Sequence, residues 1–127
     1  MILQFPVKIK SWPVISIIKK LPMSNERARN GLIKAFFTNN PSYALINSWS
    51  ELESQVSFDT KFSYNEPKSK QIIDACCTKL SLSKSNKYRL EIISQKRNGV
   101  AHALGERKPP NWSDVLFVLR ISRKYRK

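Results

Sequence analysis

The sequence predicts an all-α fold, an antiparallel helical bundle of about four helices behind a short N-terminal arm and an extra helix. Three observations lead there. Leu45, Trp49, Leu52 and Val56 recur at spacings of four, three and four, the apolar stripe of an amphipathic helix. Only three glycines occur in 127 residues and long segments pass without a turn signal, which argues against a many-stranded β protein. Apolar residues make up 41% of the chain, enough at this length for one modest core but not for two. Residues 1–38 are expected to form the arm and its helix, and residues 39–127 the bundle.

Each element follows from its local signals. Phe5, Val7 and Ile9 alternate with Pro6, Lys8 and Lys10, the pattern of a short strand or extended arm. Pro6, Pro13 and Pro22 exclude one continuous element there. Ser24 is the expected cap of a helix carrying Leu32, Ile33, Phe36 and Phe37, with Gly31 as a weak point and Asn39-Asn40 as its end. Asn40-Pro41 then starts the striped helix, a capping side chain followed by proline at the first helical position. Glu53 lies beside the stripe, either at its edge or paired with a buried arginine.

Residues 58–65 read as a loop, and Glu66-Pro67 opens a helix using Ile72, Ile73, Cys76 and Leu80. Residues 81–86 form a serine-rich connector in which Ser85 or Asn86 caps the next helix, which carries Tyr88, Leu90, Ile92 and Ile93. After a loop at residues 105–110, Trp112, Val115, Leu116, Val118 and Leu119 make a final helix with Ser113 as its cap. Its basic end, residues 123–127, suits the negative pole of the helix dipole. The aromatic residues lie mostly on these apolar stripes and are expected in the core rather than on a base-stacking platform.

Composition narrows the partners. Lys and Arg number 23 against 9 Asp and Glu, a net charge of +14 that attracts polyanions, either nucleic acid or an anionic membrane, with nucleic acid favoured. Cys76 and Cys77 are adjacent, which suits neither an ordinary disulfide nor a zinc motif, so they are expected as packed thiols in a reducing compartment. The apolar island at residues 14–18 is far shorter than the roughly 18 apolar residues of a membrane span, and no small-residue cleavage site follows it. The expected location is cytoplasmic, with no membrane span.

Catalytic groups concentrate in one stretch. His102 is the only histidine, five positions after Arg97. Imidazole exchanges a proton near neutrality, and guanidinium is a permanent cation shaped to grip phosphate. A base for the ribose hydroxyl and a charge clamp for the phosphate are what RNA cleavage without a metal requires. Taken singly, Arg97 suits a surface charge, Asn98 a helix end and His102 a cap on the last carbonyls. On a straight helix, residues five apart diverge by roughly 140°. Two arrangements would join them: loosening of the helix at Gly99, or a two-fold dimer that sets the motif against its copy. The dimer is favoured because it supplies two imidazoles, one as acid and one as base.

Residues 92–103 (IISQKRNGVAHA) resemble the signature of HEPN-domain proteins, an arginine commonly followed by asparagine and then a histidine four to six residues beyond the arginine. Residues 40–53 (NPSYALINSWSELE) resemble that family's earlier helix, which often reads proline, then Ala-x-x-x-x-Trp-x-x-Leu-Glu. The likeness covers residues 39–127. It implies a helical bundle, commonly a homodimer, whose arginine and histidine line a cleft between protomers. Many members are metal-independent endoribonucleases of toxin–antitoxin, defence and RNA-processing systems. Carried over, Arg97 and His102 become the catalytic pair and Asn98 the residue that shapes the site. One branch of the family carries a tyrosine two places after the histidine, where a nucleotidyltransferase antitoxin modifies it. Leu104 stands there in this chain.

The expected activity is cleavage by attack of the ribose 2′-hydroxyl on its own phosphate, with no metal and no cofactor. Lys96, Arg89, Arg123, Lys124, Arg126 and Lys127 would hold the RNA backbone. RNA, a second copy of the chain and an antitoxin protein are the expected partners. The alternative is a non-catalytic nucleic-acid-binding or protein-interaction module on the same bundle.

Overall fold

The structure, a computed structural model, describes residues 23–59, 67–101 and 109–126. The expected arm at residues 1–22, most of the expected loops, and His102, Leu104 and Lys127 lie outside the described residues. Among those described the fold is all-α, with five helices and no strand. These are α1 (Glu26–Phe37), α2 (Pro41–Phe58), α3 (Ser69–Leu80), α4 (Lys84–Ala101) and α5 (Trp112–Arg126).

The helix starts show how neighbouring polar residues divide the work. Asn25, not Ser24, caps α1, its side-chain oxygen accepting from the Ala28 N–H at 3.0 Å. Ser24 turns instead to Glu51, to which it donates both its N–H and its hydroxyl at 3.1 Å. Asn39 ends α1 in the left-handed region at φ 51°, a conformation asparagine tolerates. Asn40 then caps α2 through the Tyr43 N–H at 3.0 Å, with Pro41 at the first turn. The start of α3 falls at Ser69, beyond the expected Glu66-Pro67, because the Gln71 side chain closes on the Lys68 N–H at 2.9 Å.

Both later caps also shift. Ser83, ahead of Ser85 and Asn86, accepts from the Asn86 N–H at 3.1 Å and starts α4. Asn111 rather than Ser113 caps α5, in a reciprocal pair: the Asp114 N–H donates to Asn111 Oδ1 at 3.0 Å, and the Asn111 N–H to Asp114 Oδ2 at 3.1 Å. This is the two-way exchange of a capping box.

Helix α2 is the axis of the bundle and packs against all four other helices. Its stripe, Leu45, Trp49, Leu52 and Val56, is fully buried. Ile72 and Cys76 from α3, Leu90 and Ile93 from α4, and Val115, Val118, Ile121 and Tyr125 from α5 close the core around it. Leu32, Ala35 and Phe36 of α1 belong to the same cluster, so the core shows no break at residues 38/39. Gly31 is a contact point rather than a weak point. It is buried where α1 crosses α2, and any Cβ there would overlap the Asn47 carboxamide. Tyr88 and Leu116, expected on apolar stripes, are largely exposed, as is Phe37.

Candidate functional site

The candidate site lies toward the C-terminal end of α4. Leu90 and Ile93 are buried against the core, and Arg97 continues the same face one turn on. Here the guanidinium is half-buried. Its Nη1 donates to Asn98 Oδ1 at 3.0 Å, and its Nε is buried with no acceptor among the described residues. None of the ion pairs formed by the described residues includes Arg97. A buried donor without a partner is uncommon in proteins and calls for a reason such as a ligand. A guanidinium carries five N–H donors in a planar fork, so this one keeps capacity for an anion.

Helix α4 stays helical through Gly99 to Ala101. Gly99 therefore does not loosen the helix over the described span. The arrangement of His102 relative to Arg97 lies outside the described residues.

The cations around the motif fall into two groups. Lys96 Nζ is 2.9 Å from Asp114 Oδ2, with the two side chains only 15% and 9% exposed. Arg89 donates to Ser113 Oγ at 2.9 Å and lies over the Phe117 ring, 4.3 Å from its centroid. Both were expected to hold an RNA backbone; in the structure both clamp α4 to the first turns of α5. Arg123, Lys124 and Arg126 are exposed at the other end of α5. Asp114 and Arg126 are twelve residues apart on that helix, which is about 18 Å. The basic tail is thus separated along the helix from the Lys96 contact, and Lys127 is outside the described residues.

Two features had no place in the sequence reading. One is Asp114, which serves Lys96 and the Asn111 cap together; the Asn-x-x-Asp spacing is the signal that would have pointed to it. The other is Glu51, 1% exposed and surrounded by donors, while the neighbouring Glu53 is half-buried. Cys76 and Cys77 are free thiols, Cys76 buried and Cys77 half-buried. Burial pushes the Cys76 thiol up to about 12 and raises Cys77 as well. Among the described residues no group of three or more His, Cys, Asp or Glu is arranged to hold a metal ion. None of the described helices is long and apolar enough to cross a membrane. Comparisons with protein-family models, curated proteins and solved structures found no match to this chain.

Proposed function

We propose that this chain is a metal-independent endoribonuclease of the HEPN type, acting as a homodimer on RNA. The observation that carries the reading is Arg97: a half-buried guanidinium, tethered by Asn98, with a buried Nε–H that no described residue accepts. A phosphate oxygen is the acceptor this fork fits. His102 takes the proton from the ribose 2′-hydroxyl, which attacks the adjacent phosphorus. The P–O5′ bond breaks, a second imidazole protonates the departing oxygen, and a 2′,3′-cyclic phosphate remains. Proton transfer of this kind contributes roughly 10²- to 10⁴-fold in rate. Arg97 stabilises the charge that builds on the phosphoryl oxygens, and Asn98 holds the fork in place.

Because α4 runs unbroken through Gly99, loosening at that glycine is not what joins the two groups, and the two-fold arrangement is the one this reading adopts. A second copy of the chain supplies the second imidazole, so that one acts as base and the other as acid around a shared cleft. A cytoplasmic toxin or defence role, held in check by an antitoxin protein, accompanies this reading on the family likeness alone.

The test is incubation of purified protein with structured and unstructured RNA in EDTA, beside the His102→Ala and Arg97→Ala variants. Cleavage by the parent chain to cyclic-phosphate ends, lost in both variants while they still bind RNA, supports the proposal. RNA that is retarded on a gel but never shortened makes the chain a binding module instead.

A further inference from the structure

A pocket of about 310 Å³ opens at the end of the bundle where α1 begins and α2 and α5 finish, lined by Ser24, Gln55, Phe58, Asp59, Lys79, Tyr125 and Arg126. The volume sits at the low end for small-molecule sites, the scale of one building block rather than an extended ligand. Its contents are unusual for a solvated helix end. Phe58 is 72% exposed, the most exposed large apolar side chain among the described residues. Arg126 is exposed beside it and forms no ion pair with any described residue. Lys79 lies 3.3 Å from Asp59 Oδ2 and 4.2 Å from the centre of the Tyr125 ring, and the Tyr125 hydroxyl donates to the same Asp59 oxygen at 2.8 Å. One wall is therefore fixed by its own hydrogen bonds, while Phe58 and Arg126 face solvent.

Gln55 gives the second observation. It is 9% exposed, its Nε2 is committed to Glu51, and its Oε1 is buried without a donor. What the pocket lacks is thus an N–H donor near Gln55, a flat partner for the Phe58 ring and an anion for Arg126. One nucleotide supplies all three: a base with amino or imino N–H groups, a π-face and a phosphate. Exposed aromatic rings beside cations are the common means of holding single strands, whose bases are free to stack. A duplex keeps its bases stacked on one another and offers no such face.

We propose that this pocket binds one unpaired nucleotide of a single-stranded RNA, its base stacked on Phe58 and its phosphate held by Arg126. The inference rests on RNA as the ligand in the reading above, and not on cleavage. Arg126 is about 18 Å along α5 from the Asp114 contact that anchors α4. The pocket therefore grips the strand away from the scissile phosphate and selects RNA with an unpaired flank.

The experiment is fluorescence anisotropy of a short labelled RNA, single-stranded and as a duplex, on the His102→Ala chain so that the RNA stays intact. Phe58→Ala should weaken single-strand binding on the order of tenfold and leave duplex binding unchanged. Phe58→Trp, which keeps a ring, should bind as well as the parent, whereas Phe58→Leu should behave like Phe58→Ala. Arg126→Ala should reduce the salt slope for single strands by about 0.7. Single-strand affinity unchanged in Phe58→Ala overturns the pocket, even if the wild-type chain cleaves RNA. Normal single-strand discrimination by a chain that never cleaves overturns the nuclease reading and leaves the pocket standing.

Discussion

Glu51 accepts a hydrogen bond from the Asn25 N–H at 2.8 Å, across 26 positions of sequence. The same carboxylate takes the Ser24 N–H and hydroxyl at 3.1 Å and the Gln55 Nε2. A buried carboxylate is costly unless its lone pairs are met, and here four donors meet them. Two of those donors are backbone N–H groups at the entrance to α1. One side chain thereby fixes where α1 starts on α2 and holds Gln55, which lines the proposed nucleotide pocket.

Glu51→Ala should lower stability by about 3 kcal/mol, because it strands buried donors from two segments at once. Glu53→Ala, from a half-buried position, should cost less than about 1 kcal/mol. Urea unfolding followed by far-UV circular dichroism separates the two. Equal losses would mean that the Glu51 contacts do not hold α1.

The contrast between these two glutamates shows what the sequence carries. The stripe of α2 marks Glu53 as its neighbour because register is a local property. Glu51 is buried only because α1 arrives from elsewhere to cover it, and no spacing within α2 records that. Caps behave alike. Asn40-Pro41 is unambiguous because both signals are local, whereas the caps expected at Ser24, Ser85 and Ser113 each lie one or two residues from the observed ones. At these positions several polar residues compete, and tertiary partners decide: Ser24 goes to Glu51 and Ser113 receives Arg89. The Arg97–Asn98 pair was legible as a motif. The engagement of Lys96 and Arg89 with α5 was not, since their partners are 18 and 24 residues away.

Lys96 provides a direct check on that engagement. Its pair with Asp114 is largely buried and shares the carboxylate with the α5 cap. Removing one member of such a pair leaves the other unmatched, so Lys96→Ala should destabilise the fold by about 2–3 kcal/mol. RNA affinity of the folded variant should change little. A chain that keeps its thermal midpoint but loses RNA binding would return Lys96 to the surface role its charge first indicated.

Gly31→Ala tests the crossing of α1 and α2. Alanine is ordinarily favoured over glycine inside a helix by about 1 kcal/mol. Here the added methyl would overlap the Asn47 carboxamide, which is buried and donates to the Tyr43 carbonyl at 2.8 Å. Overpacking of this kind costs about 1–3 kcal/mol, so the net effect should be destabilising. The double variant Gly31→Ala/Asn47→Ala should recover part of the loss, and a double-mutant cycle in urea measures the coupling. Strict additivity would show that the two residues do not touch.

Cys76 sets a pH dependence. Burial raises its folded pKa from the ordinary 9.0 to about 12, so the neutral thiol is the form the fold prefers. The unfolded chain gives up that proton first as pH rises. The stability tied to the neutral thiol is complete below pH 9 and disappears as pH climbs toward 12. The stability difference between the parent chain and Cys76→Ala should therefore shrink over that window in urea titrations. At pH 8, alkylation should reach Cys77 before Cys76, since Cys77 is half-buried and Cys76 buried. Preferential labelling of Cys76 in the folded chain would contradict its burial.

Arg97 and His102 can be separated by mixing variants. A cleft shared by two protomers needs a guanidinium from either chain and an imidazole from either chain. Arg97→Ala alone supplies imidazoles without the clamp, and His102→Ala alone supplies clamps without a base, so each should be inactive. Subunits exchanged between the two variants form heterodimers with one clamp and one imidazole, which serves as base while water protonates the departing oxygen. Cleavage should therefore return to a reduced but measurable fraction of the parent rate. Arg97→Lys should not substitute for arginine, because an ammonium cannot engage two phosphate oxygens with a planar fork. Arg97 forms no ion pair among the described residues, so these variants should fold as the parent does, which circular dichroism checks directly. Heterodimers that form, as judged by native mass spectrometry, and yet remain silent would rule out a site that works with one guanidinium and one imidazole drawn from different chains.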